Sequence, residues 1–142
     1  LGIDTLKSMI PIMRAEILVS ESQWNDAISI FNEHIESFVK DGQERLLGKL
    51  FAQRAWCKAN LGYRDSAAID ITLSLQTSGE SIDLDDLAVL HFRLAGTNQL
   101  MGDEVHADEH RRIALSALEE LKNQQTKART AFQKIETLLP KK

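Results

Sequence analysis

The chain is poor in the residues that break or staple a fold. It has one cysteine, Cys57, so no internal disulfide can form and a reducing compartment is the default; the expected location is the cytoplasm. It has two prolines, Pro11 and Pro140, and seven glycines. Such scarcity argues against a loop-rich or many-turned β architecture. No run approaches the length of a membrane span. A formal net charge of -4 supplies no basic face, which excludes generic binding to nucleic acid or to an anionic membrane. The start, Leu1-Gly2-Ile3-Asp4, lacks an initiator methionine and the layout of a signal peptide, so the chain reads as a piece of something longer.

What the chain does have is a period. Ala15, Ala55 and Ala95 coincide at a spacing of 40 residues, and so do Ala27, Ala67 and Ala107. Between the two columns lies a third, Ser22, Gly62 and Gly102. Fixed-period self-similarity marks stacked supersecondary units. The local pattern is helical throughout: apolar residues recur at three and four, as in Leu46, Leu47, Leu50, Phe51 and Ala55, and no stretch alternates as a half-buried strand would. The spacing predicts helices near 9–20, 23–40, 43–60, 64–78, 84–100 and 104–122. Asp41 with Glu44, and Asp83 with Asp86, resemble capping boxes, and Asp103 can cap the helix that follows it. Gly62 and Gly102 sit where a left-handed residue closes a helix. The small columns then belong at the close crossing of paired helices, where a bulkier side chain would overpack by about 1–3 kcal/mol.

The run Phe51-Ala52-Gln53-Arg54-Ala55-Trp56-Cys57-Lys58-Ala59-Asn60-Leu61-Gly62-Tyr63, followed by Ala67-Ala68-Ile69-Asp70, resembles a tetratricopeptide repeat. Trp24-Asn25-Asp26-Ala27-Ile28 supplies the second-helix half of a first unit. Leu94-Ala95-Gly96 through Leu100-Met101-Gly102-Asp103 supplies the first-helix half of a third. The period is longer than the family's 34 residues, as in the variants of kinesin light chains and bacterial regulators, and the closing proline is missing. The resemblance implies an all-α fold, a right-handed superhelix of three stacked hairpins over 8–40, 43–79 and 84–122. A C-terminal capping helix over 124–139 is favoured, because stacked repeats need their last apolar face shielded. A single long helix from Asp103 to Leu139 is the competing reading, since Leu118, Leu121, Gln125, Ala128, Phe132, Ile135 and Leu139 hold a heptad-like spacing.

No nucleophile elbow, phosphate loop or dinucleotide fingerprint is present, so no enzyme and no cofactor is expected. His106 and His110 share a helix face at a spacing that can hold zinc, which leaves a helical metal protein as a weaker alternative. Cys57 is expected to be a buried small hydrophobe. In tetratricopeptide proteins the first helices line a concave groove. By that resemblance the groove would hold Ile12, Glu16 and Val19, then Lys49, Ala52, Trp56 and Asn60, then Val89, Phe92 and Gln99. Met9, Ser20, Ala59, Gly96 and Leu100 lie beside them. Trp56 and Phe92 are the expected anchors. The clamp of chaperone-tail receptors is not matched, since Ile12, Glu16, Gln53 and Val89 occupy its positions and only Arg93 fits. The expected partner is another protein, a peptide or an amphipathic helix, held by the repeat domain of a scaffold or regulator. The alternative is a regulatory domain that forms a homodimer through its C-terminal helix.

Overall fold

The structure, a computed structural model, describes residues 3–42, 44–79 and 82–139. Among them the chain is all helical. The helices are α1 (Ile3–Ser20), α2 (Trp24–Lys40), α3 (Leu47–Asn60), α4 (Arg64–Thr77), α5 (Leu84–Leu100) and α6 (Glu104–Leu138), with a short 3-10 turn over Glu44–Leu46 leading into α3. Consecutive helices pair as α1–α2, α3–α4 and α5–α6, and α3 packs against both α2 and α5. No helix of the described residues is long and apolar enough to cross a membrane.

The three hairpin turns share one set of hydrogen bonds. At Ser22, Gly62 and Gly102 the backbone N–H donates to the carbonyl three residues back, at 3.1 Å in each case. The next residue, Gln23, Tyr63 or Asp103, donates to the carbonyl five back at 2.8, 2.9 and 2.8 Å. This closure satisfies the orphan carbonyls of a helix end and demands a left-handed residue. Gly62 and Gly102 take φ of 84° and 82°; Ser22 takes 60°, where a Cβ is disfavoured. Asp103 accepts from the His106 N–H at 3.1 Å and caps α6, as expected. The other two proposed boxes do not form. Asp41 instead ends α2; Asp83 makes no side-chain cap bond, and the Asp86 side chain accepts from Lys49 instead of reaching back.

All six alanines of the two columns are buried. A first core cluster joins Ile12, Ala15, Val19, Ala27, Phe31, Ile35 and Phe38 of the first hairpin to Leu46, Leu47, Leu50, Phe51 and Cys57 of the second, with Leu73 against them. A second joins Ala52 of α3 to Leu90 and Leu94 of α5, flanked by Ile71 and Ile82. Glycine makes the α3–α5 crossing close. A Cβ on Gly48 would come within 3.0 Å of the Leu90 side chain, and one on Gly96 within 2.6 Å of the Trp56 ring.

Two boundaries depart furthest from the sequence reading. α1 begins at Ile3, so Pro11 lies inside a helix instead of in its first turn. The larger correction is the C terminus: there is no break near Asn123–Thr126 and no separate capping helix, because α6 runs unbroken for 35 residues. No glycine or proline interrupts it, and it is rich in strong helix formers. Nor does the tail carry the right face to fold back. Forty residues after Leu90 and Leu94, which seal α5 onto the second hairpin, stand Thr130 and Lys134.

Candidate protein-interaction face

The residues assigned to a groove divide into three groups. Ile12, Val19 and Ala52 are buried in the core and are not open to a partner. Their spacing is that of an inward stripe; the family mapping had placed them one face too far outward.

A second group lies at the surface but is already engaged. Lys49 donates to Asp86 Oδ1 at 2.8 Å and pairs with Glu16 Oε1 at 3.1 Å, so one ammonium ties α1, α3 and α5 together. Burial alone would lower the Lys49 pKa; the bond to Asp86 and the charges of Glu16 and Asp86 outweigh it and hold the group above its ordinary value. Gln53 Nε2 also donates to Glu16 Oε1, at 3.2 Å. Asn60 donates back to the Trp56 carbonyl at 2.9 Å, and Gln99 accepts from Arg111 at 3.1 Å.

Trp56, the expected anchor, is half-buried and wedged. Its ring meets Trp24 edge to face at 6.1 Å, lies under the Arg93 guanidinium at 5.7 Å, and fills the space beside Gly96. It holds three hairpins together and is unavailable as a free binding anchor. Trp56→Ala is therefore expected to lower stability by about 2–4 kcal/mol.

The third group is open. Phe92 is 43% exposed and Val89 37%, both on the outer side of α5, with Leu115 and Leu118 exposed on α6. Ala52 lies forty residues before Phe92 and is covered by Leu90 and Leu94; nothing covers Phe92 in this way. The third hairpin thus leaves bare the face with which the second holds α5. Arg111, bonded to Asp108 and Gln99, stands on α6 where α4 has the apolar Ile71.

The chemistry-bearing residues do not converge. His106 is held by Asp103 at 2.6 Å on the exposed first turn of α6, while His110 turns inward, its Nδ1 2.9 Å from the Nδ1 of His91. The two histidines of the metal alternative therefore face different surroundings. Among the described residues the one close group of three or more acidic or ligating side chains is Asp83, Asp85 and Asp86 at the start of α5, where acids suit the helix dipole. Cys57 is buried, and burial pushes its thiol up to about 12, so it is not a nucleophile at neutral pH.

Sequence reasoning missed the buried polar lock of the second hairpin. Asp70 is fully buried, takes Arg54 Nε and Nη2 at 2.8 Å each, and Lys58 Nζ at 2.9 Å. Arg54 extends to Asn32 of α2 at 2.9 Å. The available signal was an acid on the inward stripe of Ala67, Asp70 and Ser74, all buried.

No protein-family model matches the chain, and no curated protein or solved structure does.

Proposed function

We propose that the chain is a non-enzymatic protein-interaction module, a short right-handed superhelix of the tetratricopeptide type, whose third hairpin binds an amphipathic helix. The repeat reading is supported by three turns with the same hydrogen bonds at the same interval. The functional reading rests on one observation: Val89 and Phe92 are open where the matching residues of the second hairpin, Lys49 and Ala52, take part in holding α5. A helix laid there would run parallel to α5 and present apolar residues at three and four, with an acid toward Arg111. Of the two expected anchors, Trp56 is taken up inside the fold and Phe92 keeps the role.

The test is selection from a displayed library of helical peptides. The wild-type chain should enrich amphipathic helices, and Phe92→Asp should lose them while its melting temperature stays within about 2 °C, as for a surface change. Peptides that bind Phe92→Asp equally well would remove this face from consideration.

A further inference from the structure

The second half of α6 is a bare helix with an ordered apolar stripe. In its first half, Ala107, His110, Ala114 and Ala117 form the face packed on α5. α5 begins at Leu84, and Leu84 and Leu87 line an open cleft of about 660 Å³ with Ala117 and Glu120. Beyond that level α6 outruns its partner. From Lys122 onward every described residue is exposed, yet the same face continues through Leu121, Ala128, Phe132 and Ile135 to Leu139. Phe132 is 61% exposed and Ile135 56%. The bare segment from Leu121 to Leu138 is about 27 Å long.

We propose that a second copy of this chain covers it, the two α6 tails packing antiparallel with Ala128 of each copy opposite Phe132 of the other. This site is separate from the α5 face and does not depend on it. Three observations select this occupant and direction. α6 already packs antiparallel to α5, so a tail lying beyond Leu84 in α5's direction extends an existing packing. Side-chain sizes complement one another: Leu121 meets Leu139, Gln125 meets Ile135, and small Ala128 receives Phe132. A parallel pair would instead set Ala128 on Ala128 and Phe132 on Phe132, a void beside a clash.

Charge points the same way. The tail carries Lys122, Lys127, Arg129 and Lys134 against Glu136. In a parallel pair each cation would stand beside its own copy. The antiparallel register sets Lys127 opposite Gln133, Arg129 opposite Ala131 and Lys134 opposite Thr126. A stripe of this length gives roughly 500 Å² per copy, near the lower end for a specific interface, so a micromolar dimer is expected.

Sedimentation velocity on the whole chain from about 1 to 200 micromolar should show monomer passing to dimer. Phe132→Asp with Ile135→Asp should weaken the dimer roughly 100-fold with unchanged helix content, because neither side chain is packed within one copy. Direction is read by oxidation of Leu121→Cys and Leu139→Cys variants of different mass, buried Cys57 staying out of the reaction. A disulfide that forms only in the mixture supports the antiparallel pair. Self-linking of either variant alone, a monomer at every concentration, or a dimer indifferent to the Asp substitutions would each overturn it.

Discussion

The second and third hairpins share the hydrogen bonds of their turns, yet they lock their interiors with opposite chemistry. Asp70 and His110 are equivalent positions, forty residues apart and both buried. In the second hairpin the slot holds a full charge, and Arg54 and Lys58 close around it. In the third it holds a ring stacked on His91 at 5.1 Å, with a single N–H between two nitrogens. One lock is a salt bridge to two cations, the other a hydrogen bond between two rings. Two hairpins with the same turn can therefore bury different polar groups, provided each group finds its partner.

The largest effect should follow from breaking the charged lock. Asp70→Ala strands two cations in the interior and is expected to cost about 3–5 kcal/mol, measured by chemical denaturation. A loss under 1 kcal/mol would mean that water reaches Arg54 and Lys58.

Acid should break the neutral lock. Burial, with the neighbouring His110, pushes His91 down to about 4, and burial also lowers His110. Glu109, on the same helix, opposes both shifts. An unfolded chain takes up these protons near 6.5, so the folded form is favoured in full above that pH and loses the contribution as pH falls towards 4. The loss for His91 is on the order of 3 kcal/mol. Thermal melts at pH 7 and pH 4.5 should show it, and His110→Gln should flatten the dependence. An equal slope in that variant would assign the acid sensitivity elsewhere.

A smaller effect tests the seam between the two hairpins. Gly96→Ala gains roughly 1 kcal/mol of helix propensity, but its methyl would enter the Trp56 ring, 2.6 Å away. That ring is blocked by Trp24 and Arg93, so overpacking wins by about 1–2 kcal/mol net. A stabilised variant would show that Trp56 can slide. Smallest of all, Cys57→Ala should change stability by about 1 kcal/mol or less, and the native thiol should react with alkylating reagent only on unfolding.

The helices and their turns were legible because they follow from local rules. The alanine columns, the closing glycines and the Asp103 cap are visible in residue spacing alone. The exposed face of α5 was not. At a three-four spacing one residue of rotation separates a groove from a core, and Ile12 and Val19 fall on the buried side. Trp56 could be placed only by knowing that Gly96 leaves a hollow for it. The tail was misjudged because the need to shield the last apolar face outweighed the mismatch of Thr130 and Lys134 to Leu90 and Leu94. An exposed apolar face does not make a helix fold back when its sealing positions are polar.

The bare half of α6 gives the molecule mechanical leverage. Its base is gripped by α5 and by the histidine pair, while its tip stands about 27 Å beyond the last packed turn. A tilt of about 10° at that grip would swing the tip through about 5 Å, nearly the rise of a whole helical turn.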